Sequence, residues 1–231
     1  MASGDRRIIL EGGTAVRLRR TARARRMTLR VPYDGSGAVL TLPPQVPVAE
    51  GQAFAESRLD WLLAALGRQP VQPVAAAGAM LPVEGSVLRL TEGEVRRPAV
   101  QGDQLLIPRH RPAGPVVAAW LKQLALIRLR AASDRVSQVL GRPYRAIVIR
   151  DTRSRWGSCT SDGRLMYSWR LIMAPPAVLE YVVAHEVAHL AHMDHSARFW
   201  QQVEDLMPGH RPHRAWLKAH GGDLMRWKFS N

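Results

Sequence analysis

The sequence predicts an α+β protein with two differently built halves. Short segments of alternating apolar and polar residues recur in the N-terminal half, at 15–42 and at 78–108, and this period-two pattern is typical of β-strands. A long amphipathic segment at 115–140 favours an α-helix, and strand-like and helical segments alternate after it. Because Pro, His and Gly cluster at 109–114, we place the boundary there. The predicted regions are 1–110 and 111–231.

Several elements are specific enough to be tested. An apolar stripe predicts one helix over 48–67 in the N-terminal region. In the C-terminal region, buried strands are expected at 146–149 and 165–169. A helix that follows two prolines is expected to extend to about Met193, and Ser196 is a suitable cap for another helix. No internal repeat is evident.

Composition narrows the class of protein. The chain of 231 residues has 33 basic and 19 acidic side chains, a formal net charge of +14, which favours contact with polyanions such as nucleic acid. The single cysteine, Cys159, rules out an intramolecular disulfide. No segment is apolar over a bilayer-spanning length, and the apolar stretch at 8–10 is too short for a signal peptide core. We therefore expect a soluble cytoplasmic protein without membrane contact.

The pattern His-Glu-Val-Ala-His at 185–189 indicates a catalytic metal site. On a helix, His185 and His189 project from one face one turn apart, so both imidazoles can bind one metal ion. Glu186 lies about 100 degrees around the helix, where its carboxylate can reach a metal-activated water without binding the metal. This residue set predicts a zinc-dependent hydrolase with one Zn²⁺ per chain and Glu186 as the general base.

A third protein ligand is required, and three residues compete for the role. His192 lies about 10.5 Å along a straight helix from His185, too far for one tetrahedral ion to bind both. His195 becomes suitable if the helix ends first, since Asp194 tolerates a left-handed conformation and Ser196 can start a new helix. We favour His195, and Glu204 is the acidic alternative.

The sequence resembles the YgjP-like metallopeptidase family, which is related to the SprT and WLM proteins. The resemblance is strongest from about residue 153 to 216 and extends more loosely to the N-terminal half. It rests on Arg155–Cys159, Tyr167–Leu171, Tyr181–Glu186 and His192–Trp200, with weaker agreement at Arg25–Val31 and Asp60-Trp61.

This resemblance implies a compact zincin-like catalytic domain, with the active-site helix packed on a small sheet and a three-histidine ligand set. It also implies that the segment Arg155–Cys159 lies close to the active site. In zincins, an extended substrate adds to a sheet edge above the active-site helix, and we expect Arg164–Trp169 to be that edge strand.

Other residues are weaker candidates. Arg155 is a candidate for stabilising a developing oxyanion and Tyr181 for contacting substrate, although a solvated arginine and a packing tyrosine are the plainer interpretations. Cys159 is better read as a small hydrophobic residue than as a metal ligand. His210 and His213 are expected in a surface loop.

Three functions fit these residues. A metallopeptidase that acts on peptides or proteins is the leading hypothesis. The alternatives are a metal-dependent hydrolase of nucleotide phosphoanhydrides, because zinc hydrolysis also operates at phosphoryl centres, and a DNA-associated protease or binding protein of the SprT kind.

Overall fold

The fold consists of two compact units, residues 1–72 and 73–231. The computed structural model describes residues 6–32, 35–67, 72–152 and 154–230. These residues form eleven strands and six α-helices, which confirms the α+β class. None of the described helices is both long and apolar enough to cross a lipid bilayer.

Unit 1 is a four-stranded sheet with two helices packed on one face. The strand order is β1-β2-β4-β3, with β2 and β4 parallel and the other pairs antiparallel. Leu40 and Leu42 of the sheet and Ala55 and Leu62 of the helices are buried in its core. Its elements are β1 Arg6–Ile9, β2 Ala15–Arg20, β3 Thr28–Arg30, β4 Ala38–Leu42, α1 Val48–Glu56 and α2 Leu59–Gly67.

The single helix predicted over 48–67 is two helices in the structure. The break lies at Ser57, whose backbone N–H donates to the Ala53 carbonyl while its hydroxyl donates to the Phe54 carbonyl, 2.8 Å away. A serine hydroxyl that competes for helix carbonyls in this way favours a helix end.

Unit 2 contains two sheets and four helices. A 3-10 helix, Trp169–Met173, connects its second sheet to the helices that follow. The first sheet has the order β5-β6-β8-β7 and the second the order β10-β11-β9. Its elements are β5 Met80–Val83, β6 Ser86–Gly93, β7 Ala99–Gln101, β8 Gln104–Pro108, α3 Ala113–Leu140, β9 Ala146–Arg150, β10 Gly157–Cys159, β11 Arg164–Ser168, α4 Pro176–Ala188, α5 Ala197–Leu206 and α6 Arg211–Arg226.

The division between the units lies earlier than the boundary predicted at 110/111. Strands β5 to β8 belong to unit 2 because Leu90 and Leu105 share one buried core with Leu121 of α3 and Val183 of α4. The sequence pattern marks the end of the β-rich segment, whereas the shared core decides where the unit begins.

The first sheets of the two units have the same topology. In each, the first two strands pair antiparallel, the fourth strand lies parallel to the second, and the third pairs antiparallel with the fourth. The chain therefore contains a structural repeat, although the sequence shows none.

The end of the chain returns to the start of unit 2. Val74 forms a β-bridge with Lys228, the Ala75 N–H donates to the Lys228 carbonyl at 2.9 Å, and the Lys228 N–H donates to the Pro73 carbonyl at 2.8 Å. Backbone hydrogen bonds thus join the first residues of unit 2 to the segment that follows α6.

A buried arginine anchors the last helix. Arg170 is only 2% exposed, and its guanidinium donates to the carbonyls of Leu224 and Trp227, both at 3.0 Å. It also donates to Asp151 at 2.7 Å and lies over the Trp169 ring. These carbonyls belong to the end of α6, where no backbone donor is available.

Replacing Arg170 by methionine is expected to lower the free energy of unfolding by about 3–5 kcal/mol, because buried carbonyls lose a charged donor. Urea denaturation measures this. Arg150→Met, at an exposed position on β9, is the control and should change stability by about 0.5 kcal/mol or less. Equal effects of the two substitutions would show that Arg170 does not anchor the helix.

Candidate metal centre

The helix that carries the histidine motif is the most enclosed helix of the site. Pro176 lies in the first turn of α4, where its missing N–H costs nothing, and nine of the 13 residues of this helix are buried. The helix ends at Ala188, five residues before the predicted end at Met193. His189 is its C-cap, so the motif straddles the helix terminus.

The chain turns sharply after this helix and starts α5. The Asp194 carboxylate accepts a hydrogen bond from the Ser196 N–H at 3.1 Å, and the Ser196 hydroxyl caps α5 by accepting from the Phe199 N–H at 3.4 Å. The predicted cap at Ser196 is confirmed. Asp194 adopts no left-handed conformation, since Glu84 is the only non-glycine residue with positive φ in the described part of the chain. Its side chain stabilises the turn instead.

This turn brings His195 back to the two motif histidines. The Nε2 atoms of His185 and His195 lie 3.2 Å apart, and the ring centroids of His189 and His195 lie 4.8 Å apart. One ligand atom from each of the three histidines falls within 4.8 Å of the others. In the described residues, this is the only cluster of three or more histidine, cysteine or carboxylate groups that could hold a metal.

The donor set fits a zinc ion. With Zn–N distances of about 2.0–2.1 Å, tetrahedral geometry separates two ligand nitrogens by about 3.3 Å, close to the His185–His195 separation. Burial and the neighbouring His189 and His195 lower the pKa of His185 to about 3, and burial lowers the pKa of His189. Both rings are therefore neutral at physiological pH, the form that binds a metal.

A backbone contact fixes the tautomer of His189. Its Nδ1 lies 2.9 Å from the His192 carbonyl oxygen, which can only accept, so Nδ1 carries the proton and the Nε2 lone pair is free for a metal. His192 thus contributes through its backbone.

Glu204, the alternative third ligand, is engaged elsewhere. One carboxylate oxygen accepts from the Gly209 N–H at 2.9 Å, and the other lies 2.9 Å from His210 Nδ1. The Gly209 hydrogen bond, together with the neighbouring His210 and Arg211, lowers the pKa of Glu204. Its carboxylate is absent from the histidine cluster.

Glu186 is buried against strand β10. Its exposure is 6%, and burial raises the pKa of its carboxyl to about 8, an effect that Arg155 opposes. A Cβ atom on Gly157 would lie 2.5 Å from Glu186 Oε1 and 2.7 Å from Cδ. Only glycine therefore allows β10 to approach the carboxylate so closely. A raised pKa suits a group that must take up and release a proton near neutral pH.

Comparison with known proteins identifies the family. The model of the YgjP-like, metallopeptidase domain matches residues 25–220, most of the chain. The chain belongs to the YgjP-like metallopeptidase family. Membership makes this protein a metallopeptidase and implies a divalent metal ion and a peptide or protein substrate.

Two solved structures resemble part of this YgjP-like chain. The metallopeptidase zymogen of Pyrococcus abyssi abylysin is 21% identical and covers 40% of this chain and 92% of that one, with a TM-score of 0.36. The zymogen of Methanocaldococcus jannaschii jannalysin is 14% identical over 40% of this chain and 94% of that one, with a TM-score of 0.35. A search of curated proteins finds no match.

The other predicted residues of the YgjP-like site have distinct environments. Arg155 is exposed, and its charge acts on Glu186. Tyr181 is buried, with its ring centroid 6.1 Å from that of His185. Cys159 packs against the core, and burial raises the pKa of its thiol to about 11, so it is a neutral thiol outside the histidine cluster.

The expectation that His210 is a surface loop residue is wrong. It is 4% exposed, and its ring stacks between those of Tyr181 and Trp200, with centroid distances of 5.8 Å and 6.0 Å. The Trp200 ring in turn lies 5.6 Å from that of His185. No local pattern predicts this position, because the packing of α6 against α4 creates it.

The edge strand was also predicted incorrectly. Strand β11 is central in its sheet and pairs with both β10 and β9. In this YgjP-like domain, β10 is the edge strand that lies beside Glu186. Strand order depends on non-local pairing, which alternation in the sequence does not encode.

Gly157→Ala is expected to lower kcat/KM for peptide hydrolysis by roughly 10²-fold, because displacing a catalytic group by about 1 Å has effects of this size. Metal content should be unchanged. Gly93→Ala is the matched control, since a Cβ on this strand glycine makes ordinary contacts of 3.7–3.8 Å with Leu106. An unchanged kcat/KM in the Gly157 variant would contradict close positional control of Glu186.

Proposed function

We propose that this metallopeptidase uses one Zn²⁺ ion held by His185, His189 and His195, with Glu186 as general base. The observation that carries the proposal is the convergence of three imidazoles beside a buried carboxylate of raised pKa. When bound, zinc lowers the pKa of a water molecule and polarises the substrate carbonyl.

Glu186 moves the proton in the proposed reaction. Its carboxylate accepts a proton from the attacking water and then donates it to the amine nitrogen that leaves when the peptide bond breaks. Gly157 allows strand β10 to lie against this carboxylate, and the apolar residues of α4 limit access of other water.

We place the substrate backbone along β10. This edge strand pairs with β11 on one side, so its other side can accept an extended peptide by strand addition. The same strand contacts Glu186, so pairing would hold the scissile bond near the base.

Tyr181 and His210 are the proposed contacts of the reacting carbonyl. Burial raises the pKa of Tyr181, so its hydroxyl remains a donor, and the two rings stack parallel beside His185. Arg155 acts on the charge of Glu186 in this proposal and does not bind the oxyanion.

Elemental analysis and peptide hydrolysis test the proposal together. Protein purified without added metal should carry about one zinc per chain, and chelation should abolish hydrolysis of a quenched fluorescent peptide until zinc is restored. A nucleotide panel is assayed in parallel. Metal-dependent phosphate release without peptide cleavage would replace peptidase activity with the phosphoanhydride alternative.

A separate observation favours nucleic-acid contact by unit 1. Arg7 pairs with Arg17 across β1 and β2, and Arg17 and Arg30 both pair with Val39 of β4. Residues paired in this way share a sheet face, so the three arginines lie on one side of this sheet. We propose that this arginine row contacts phosphate groups.

DNA binding at two or more salt concentrations tests the arginine row, since phosphate contacts weaken steeply with salt. Arg7→Glu with Arg30→Glu should reduce affinity, whereas Arg96→Glu with Arg97→Glu makes the same change in net charge elsewhere. Equal losses of DNA affinity in both double variants would show that overall net charge, and not the arginine row, determines binding.

A further inference from the structure

A cleft beside the histidine cluster extends beyond the residues that the proposed chemistry uses. It has a volume of about 800 Å³ and lies between α5 and α6. Trp200 and Glu204 line it from α5, and Arg211, Arg214 and Lys218 line it from α6. The three cations are spaced by three and four residues, so one face of α6 presents all of them to the cleft.

The positive charge of this cleft exceeds the negative charge that its own lining supplies. Glu204, its one acidic lining residue, is already held by the Gly209 N–H and His210. Among the described residues, no ion pair involves Arg211, Arg214 or Lys218. The three cations are therefore available to an anionic ligand.

Trp200 lies between the cleft that it lines and the histidine cluster. The Arg214 guanidinium lies over the Trp200 ring at 4.5 Å, and this ring lies 5.6 Å and 5.9 Å from the rings of His185 and His195. Because an extended peptide advances about 3.4 Å per residue, a side chain in the cleft belongs within about two residues of a bond held at the histidines.

We infer that this cleft is a substrate subsite that selects a carboxylate next to the cleaved bond. The inference rests on the proposed peptidase function and names its substrate class, an acidic peptide. Guanidinium groups bind carboxylates with two parallel hydrogen bonds, and a lysine adds a point charge. The carboxylate is supplied by an Asp or Glu side chain or by the C-terminus of the peptide.

The test compares cleavage of matched quenched peptides that carry Glu, Gln or Lys at one position near the bond, each with a free or an amidated C-terminus. Wild-type protein should prefer Glu over Lys by roughly tenfold to hundredfold in kcat/KM, since like charges in an interface are strongly disfavoured. Preference for the free C-terminus alone would identify the chain end as the recognised carboxylate.

Reversing the charges of cleft residues tests whether the cleft causes the preference for Glu over Lys. Arg211→Glu with Lys218→Glu should invert the Glu-to-Lys ratio, whereas Arg96→Glu with Arg97→Glu, outside the cleft, should leave the ratio unchanged. A ratio near one in wild-type protein, or a ratio that survives reversal in the cleft, overturns the inference.

A binding experiment distinguishes failure of this inference from failure of the proposed function. Fluorescence anisotropy with the metal-loaded Glu186→Gln variant measures affinity for the Glu and Lys peptides without turnover. Selective binding that reverses when the cleft charges are reversed supports the subsite, even if no peptide is hydrolysed. Absence of hydrolysis would contradict only the peptidase proposal. Hydrolysis without charge selectivity in either arm removes only the subsite.

Discussion

Replacing Glu186 by glutamine is expected to lower kcat for peptide hydrolysis by roughly 10²–10⁴-fold, the usual contribution of a positioned acid–base group. Glutamine has nearly the same shape as glutamate but cannot accept the proton of the attacking water. Because burial disfavours the charged carboxylate, the neutral amide should not destabilise the fold. The bound metal should also remain, since Glu186 is outside the histidine cluster.

Single-turnover kinetics and elemental analysis of the same preparation measure both effects. Glu180→Gln is a matched control on the same helix, where the carboxylate is exposed and pairs with Arg135. This control should lose little activity. Full hydrolysis by the Glu186 variant would rule out its role as the base.

His185→Ala, His189→Ala and His195→Ala should each weaken metal binding by more than roughly 100-fold, because even the outer contacts of a metal site contribute 10–100-fold. The metal content of each purified variant should fall well below one ion per chain, and hydrolysis should fall with it. Competition with a chelating dye measures the affinity directly.

Two control substitutions make this experiment specific. His192→Ala should keep the metal, because this residue hydrogen-bonds His189 through its backbone carbonyl, which the substitution retains. Glu204→Gln should keep it as well, because its carboxylate is bound by Gly209 and His210. If His195→Ala retained the metal and Glu204→Gln lost it, Glu204 and not His195 would be the third ligand.

The local geometry of the site was predictable because it depends on neighbours in sequence. The spacing of His185 and His189 fixes their common face on any helix, and Ser196 caps α5 as expected. Asp194 illustrates the limit of such reasoning, since the turn was correctly expected there although the side chain, and not a left-handed backbone, stabilises it.

Features that depend on distant parts of the chain were missed. The burial of His210 requires α6 to pack beside α4, and the approach of Gly157 to Glu186 requires β10 to be the edge strand. The common topology of the two four-stranded sheets could not be predicted either, because many different apolar sequences can form the same strand order. Pairing and packing determine each of these, and neither has a local signature.

The hydrogen bonds between Pro73–Ala75 and Lys228 have a consequence for chain connectivity. Because Pro73–Ala75 and Lys228 are adjacent, a short linker should join these segments without disturbing either sheet, and new termini could be opened at the exposed turn near Arg96. Such a circular permutant keeps α4, α5 and their histidines on one uninterrupted segment. Its catalytic activity would then depend on the fold of this unit and not on the order of its segments along the chain.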